Sequence, residues 1–185
     1  MTEQSTLLGT ILNLINRKAE GTYWDFKRKH HTSNADLIHD VLCLANAEHI
    51  GDRFLIFGVV DDDFSLHPIN EDTGRRTQAD LAGLFRDNAS KFFQSRFPEF
   101  YLKEITLDGI LLDVLVIENT SHKPYYLVEK YEKIYAHHIY TRVCDTNTPA
   151  KDAAQPHEIE RMWRERFGLD MPPLEKLSEN SIFSF

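Results

Sequence analysis

Apolar positions along the chain recur first at helical and later at strand spacing. Leu7, Leu8, Ile11, Leu12, Leu14 and Ile15 follow the capping residues Ser5 or Thr6. They predict an amphipathic helix that ends near Lys18 and is broken at Glu20-Gly21. Residues 22–27 alternate aromatic and polar side chains, the pattern of a short strand in which Asp25 and Lys27 share a face. Asn34 is expected to cap a second helix, whose wide stripe of Leu37, Ile38, Val41, Leu42, Leu44 and Ala45 runs to about Asn46. Residues 53–60 are almost wholly apolar and end in Asp61-Asp62-Asp63, as a central strand does where it emerges at the surface. Thr77 is expected to cap a third helix reaching Phe93, and Asp108-Gly109 between two apolar runs predicts a hairpin of residues 101–107 and 110–117. Further strands are expected at 125–128 and 134–143. Pro156 then opens a last helix that carries Ile159, Met162, Trp163 and Phe167 and stops at Gly168. Helices around a mixed β-sheet make the expected fold class α+β.

Composition narrows the class of protein. The chain has 185 residues, 42% hydrophobic and 27% charged, the length and make-up of a globular domain with a terminal appendage. We expect the domain to cover residues 1–168 and a tail to cover 169–185, where Ile182-Phe183-Ser184-Phe185 suggests docking on the domain or on another subunit. No apolar run approaches the ~20 residues that cross a bilayer, and the first five residues carry no basic leader. The expectation is a cytoplasmic protein with no membrane contact. Cys43 and Cys144 cannot build a disulfide framework and form no Cys-x-x-Cys pair, and Cys43 falls on an apolar helix stripe.

Charge excludes coating of nucleic acid by bulk attraction, because 21 Lys and Arg face 29 Asp and Glu for a net charge of −8. Any phosphate track must be local. Arg28, Lys29 and His30 directly follow Lys27, and Arg75, Arg76 and Arg142 are candidates to extend the track. An ordinary solvated charged face is the competing reading, and for Arg75-Arg76 the two are evenly matched. Tyr23 and Trp24 could stack on bases, although aromatics in strands are more often core.

The acids carry the sharpest chemistry. Glu20 and Asp25 flank a Gly21 break, and Asp61 follows the apolar strand. If the two strands pair, these carboxylates could hold Mg²⁺ or Mn²⁺, hard cations that take oxygen ligands, with Lys27 facing the same place. A metal–carboxylate cluster beside a lysine suits phosphodiester hydrolysis. Acids at strand ends are also ordinary solvated groups. No phosphate-binding glycine loop, dinucleotide fingerprint or serine-hydrolase elbow accompanies them.

Four short motifs in register give this pattern a context. Glu20-x4-Asp25-Phe26-Lys27, Leu44-Ala45-Asn46-Ala47, Leu55-Ile56-Phe57-Gly58-Val59 with Asp61 following, and Tyr140-Thr141-Arg142 with Thr146 and Thr148 lie in that order. Over roughly residues 18–150 the chain resembles the Schlafen-like, AlbA-type nucleic-acid-binding domain. Asp25 stands where members usually carry a second glutamate, and residues 46–51 replace a tighter Asn-Thr-x-Gly-Gly turn. The resemblance implies a Schlafen-like core and a nuclease centre at Glu20, Asp25 and Asp61, with Asp62 as the alternative third acid and Lys27 matching the motif lysine. It implies a divalent-metal-dependent endoribonuclease acting on structured RNA such as tRNA, with DNA possible as a partner. A non-catalytic DNA- or RNA-binding regulatory module is the alternative. A subunit of a homo-oligomer or larger assembly is a third.

Overall fold

Strands β1 (Trp24–Lys27), β2 (Arg53–Phe57), β3 (Phe100–Leu107) and β4 (Ile110–Ile117) pair in the order β1-β2-β4-β3 in the computed structural model, which describes residues 3–169. The expected tail, apart from residue 169, lies outside the described residues. β1 and β2 run parallel, joined by helix α2 (Asn34–Asn46), whereas β2–β4 and β3–β4 are antiparallel. Parallel neighbours need such a crossover, and the Asp108-Gly109 turn closes the antiparallel hairpin as its sequence predicts. The fold is α+β with a mixed sheet.

Side-chain alternation sends the two central strands into two cores. Phe54, Ile56, Val114 and Val116 pack with Trp24, Phe26 and with Ile11 and Leu14 of helix α1 (Glu3–Asn16). Leu55, Phe57, Leu115 and Ile117 face the other way, onto α2 and onto Leu81 and Phe85 of helix α3 (Gln78–Asp87). Burial on both faces explains why β2 reads as a continuous apolar run. β1 obeys the same alternation at the sheet edge: Trp24 and Phe26 enter the α1 core, so Asp25 and Lys27 point to the opposite face.

The structure corrects several expected boundaries. Ser33, not Asn34, caps α2 by accepting from the Asp36 N–H. The third helix stops at Asp87, because the Asn88 amide folds back onto the Leu84 carbonyl at 2.9 Å and a 3₁₀ turn follows. Residues 125–128 and 134–141 form only isolated bridges instead of strands. Positive φ at His137 interrupts the second, and the Asn46 side chain takes up the Tyr125 N–H and the Tyr125 and Tyr140 carbonyls, each at 2.8 Å. Only β5 (Arg142–Val143) and β6 (Thr146–Asn147) pair as a short ladder. In the last helix, α4 (Pro156–Arg166), Met162 is buried, Trp163 is half-buried and Phe167 is exposed, so of the apolar residues named for this helix the methionine is the one that anchors it.

Gly58 ends β2 and sets where the next residues go. Its φ is +98°, and a Cβ there would lie 2.6 Å from Leu112 and 2.8 Å from the His67 carbonyl. Only glycine meets both conditions. The Gly58 N–H donates to the Lys27 carbonyl at 2.8 Å, so the chain leaves β2 across the end of β1 and carries Asp61 toward Lys27.

Candidate functional site

Beside the edge strand β1 opens a cleft of about 490 Å³, lined by Glu20, Asp25, Lys27, Asp61, Arg142 and Asn147 among others. Asp25 is 1% exposed and Lys27 27% exposed at the side chain, and the Lys27 ammonium donates to Asp25 Oδ2 at 2.7 Å. The shared face expected of these two residues is therefore present. Burial works against the ammonium, but Asp25, Asp40 and Glu20 outweigh it and hold the Lys27 pKa above its usual value.

Glu20 reaches the cleft because the loop before β1 turns back on itself. Gly21 makes this close approach possible, since a Cβ at that position would sit 2.2 Å from the Trp24 ring. Glu20 Oε1 accepts from the Phe26 N–H at 3.2 Å, while Oε2 accepts from Arg142 at 2.7 Å. Burial first, then the hydrogen bond and negative charge of Asp25, push the Glu20 pKa up to about 7 against the opposing pull of Phe26 and Arg142. A carboxyl with that pKa exchanges its proton near neutral pH. Asp61 is exposed at the rim, and its pKa is raised by partial burial and by Asp25, with Lys27 opposing.

These acids share a cleft without sharing a coordination point. The donors are all oxygen, the set that Mg²⁺ and Mn²⁺ take, and burial, with the neighbouring Asp25 charge adding to it, raises the pKa of Glu20 and Asp61. Among the described residues, however, no three His, Cys, Asp or Glu side chains converge closely enough to hold an ion. Asp25 meets Lys27 with one oxygen and Arg142, at 3.4 Å, with the other.

The expected phosphate track is shorter in the structure than in the sequence. Arg28 and Lys29 are exposed. His30 is buried, its ring stacked on Phe57 and bonded to Asp113 at 2.9 Å. Arg75 forms a paired contact with both oxygens of Asp113 and also meets Glu104. Arg76 holds Asn34 at 2.7 Å and the His31 carbonyl at 3.1 Å. His30 and Arg75 tie loops to the sheet, and Arg76 ties its loop to the start of α2. Arg142 lines the cleft but is 2% exposed at the side chain, donating to Gly21, Asn147 and Glu20. Of the expected stacking residues, Trp24 is core and Tyr23 lies flat against His49, with centroids 3.7 Å apart.

Asp40 is the residue that sequence reasoning passed over. It lies on α2 and accepts from His31 at 2.8 Å and from the Asn147 amide at 2.9 Å, with Lys27 at 3.9 Å. Burial opposes its charge, but the hydrogen bonds of His31 and His39 and the charge of Lys27 hold its pKa well below the usual carboxylate range. The available signal was His39-Asp40 itself, two polar residues inside the otherwise apolar run of residues 37–45.

The model of the Schlafen, AlbA_2 family matches residues 20–151, from the first cleft acid to just beyond Asn147. The chain belongs to the Schlafen, AlbA_2 family. This membership marks it as a nucleic-acid-related domain. Among solved structures, the Schlafen domain is similar to the DIP2311 protein from Corynebacterium diphtheriae, with a TM-score of 0.49 and 16% identity over 87% of this chain. This chain spans 28% of that protein's length. No curated protein matches the chain. Among the described residues, no helix of this Schlafen domain is long and apolar enough to cross a membrane.

Proposed function

We propose that this domain is a metal-dependent endoribonuclease that cleaves structured RNA, tRNA being the first substrate to test, with DNA as a weaker partner. One observation supports the reading above the others. Glu20, Asp25, Lys27 and Asp61 line a single open cleft, and exposed Arg28 and Lys29 directly follow Lys27. Lys27 is the group that meets a nonbridging phosphate oxygen and stabilises the charge that develops at phosphorus. Glu20, with its pKa near 7, can take a proton from the attacking oxygen or return one to the leaving oxygen. Arg142 keeps the Glu20 carboxylate aimed by its 2.7 Å contact. Glu20, Asp25 and Asp61 are the oxygen donors that would hold Mg²⁺ or Mn²⁺ in this reading; as they stand they do not converge on one point, so an ion would have to draw them together, and it would supply an activated water and neutralise phosphate charge.

A binding-only module is the second reading, favoured by one feature: both oxygens of Asp25 already have cationic partners. Incubating the purified chain with tRNA and with single-stranded DNA, in Mg²⁺, Mn²⁺ or EDTA, separates the two. The nuclease reading expects RNA cleavage with either metal, abolished by EDTA and by Lys27→Ala while binding persists. Salt-sensitive binding with neither nucleic acid cut would overturn it and leave the binding module standing.

A further inference from the structure

Two cations line the cleft, Lys27 from β1 and Arg142 from β5, on strands that do not pair with each other. Asp25 touches both, Lys27 at 2.7 Å and Arg142 at 3.4 Å, and a second link between them lies outside the four family motifs. Asp40 sits 3.9 Å from the Lys27 ammonium. Its other oxygen accepts from the Asn147 side-chain amide at 2.9 Å, and Oδ1 of the same Asn147 side chain accepts from Arg142 at 2.8 Å. A single helix carboxylate is thus one contact from one cation and two from the other. We propose that Asp40 is a second positioning residue for both cleft cations, behind Asp25, acting on Lys27 through charge at 3.9 Å and on Arg142 through Asn147.

The surroundings of Asp40 support a fixed post. Its carboxylate is 13% exposed, Oδ2 accepts from His31 at 2.8 Å, and His39 approaches Oδ1 at 3.6 Å. α2 is buried along nearly its whole length, so the post is rigid, and side chains held by packing and outer hydrogen bonds keep the groups they support in productive geometry. His39 also reaches the Thr148 carbonyl at 2.9 Å, which attaches the end of the β5–β6 ladder to the same helix turn. Asp40 is not among the residues that line the cleft. It acts through Lys27 and Asn147.

This inference rests on the nuclease reading, and its test has one arm that does not. Asp40→Asn keeps the size of the side chain and removes its charge. In the cleavage assay it lowers kcat by on the order of tenfold to a hundredfold, with KM within about twofold, because small displacements of positioned groups are costly. Asp40→Glu recovers part of that loss. In the arm without substrate, NMR relaxation of the Lys27 side chain and hydrogen exchange of the Arg142 guanidinium both speed up in Asp40→Asn. Asn147→Ala, which cuts only the second branch, speeds exchange at Arg142 and leaves Lys27 as in the parent chain. Parental Lys27 relaxation and Arg142 exchange in Asp40→Asn would overturn the proposal, as would an effect on KM alone. If the parent chain cleaves nothing, the nuclease reading fails by itself, and the NMR arm still decides whether Asp40 holds the two cations.

Discussion

Replacing Asn46 by alanine is expected to destabilise the domain by about 3–5 kcal/mol, from three hydrogen bonds lost and three backbone groups left without partners. Asn46 is fully buried, and its amide donates to the Tyr125 and Tyr140 carbonyls while its oxygen accepts from the Tyr125 N–H, each at 2.8 Å. Each net bond is worth about 0.5–1.5 kcal/mol and each orphaned buried group costs about 1–3 kcal/mol, terms that overlap and so do not simply add. The loss is a large part of the ~5–15 kcal/mol that stabilises a typical domain. Asn46→Asp sharpens the test. It keeps an acceptor for Tyr125 but turns a carboxylate oxygen toward two carbonyls, so it must cost at least as much as alanine. Urea unfolding followed by tryptophan fluorescence measures both variants, read at constant m-value. A loss below about 1 kcal/mol for alanine, or an aspartate variant more stable than the alanine one, would refute the clamp, since three bonds cannot be that cheap to lose.

Other expected outcomes follow from single contacts. The Glu20 pKa is raised from 4.5 to about 7, so the native state binds the extra proton. The stability it contributes is present below about pH 4.5 and is lost as pH rises through 7, by about 1–2 kcal/mol after allowance for solvent screening. Glu20→Gln flattens that limb of a stability-versus-pH curve, and a parent curve that rises from pH 5 to 7 with no difference in the variant contradicts the assignment. Gly58→Ala destabilises by about 2–3 kcal/mol through strain and overpacking, given φ of +98° and contacts as short as 2.6 Å; thermal unfolding reads it. Arg28→Ala and Lys29→Ala each weaken binding to every nucleic-acid sequence alike and reduce the salt slope by roughly 0.7–0.9, whereas an unchanged slope removes them from the phosphate track.

The sequence was most readable where burial was simplest. β2 and the β3–β4 hairpin follow from apolar runs and one turn signal, and the shared face of Asp25 and Lys27 follows from strand alternation and survives as a 2.7 Å contact. Alternation reports which face a side chain takes, and this holds even for β1 at the sheet edge because one of its faces is buried. Residues 125–143 misled because their backbone groups are partnered by a side chain and by turns, and no periodicity announces that. For Arg75 the sequence leaves two readings open for a related reason. Local charge looks the same whether Arg75 faces a phosphate or Asp113, which is 38 residues away in the chain. Asp40 was hidden in a helix whose apolar stripe satisfied the pattern without it.

The matched family region begins at Glu20 and ends at residue 151, and the fold supplies a physical reason for that extent. Glu20 and Asp25 lie at the start of the sheet, yet the guanidinium that compensates both belongs to Arg142, 122 and 117 residues further along the chain. Without Arg142, a nearly fully buried Asp25 would retain only Lys27 as its cationic partner, and removing one member of a buried ion pair is strongly destabilising. The acids therefore cannot be held in a truncated chain that stops after the sheet. The β5–β6 ladder that carries Arg142 is docked on α2 through Asn147 and Thr148, so the contacts that seat this ladder also place the guanidinium beside both acids.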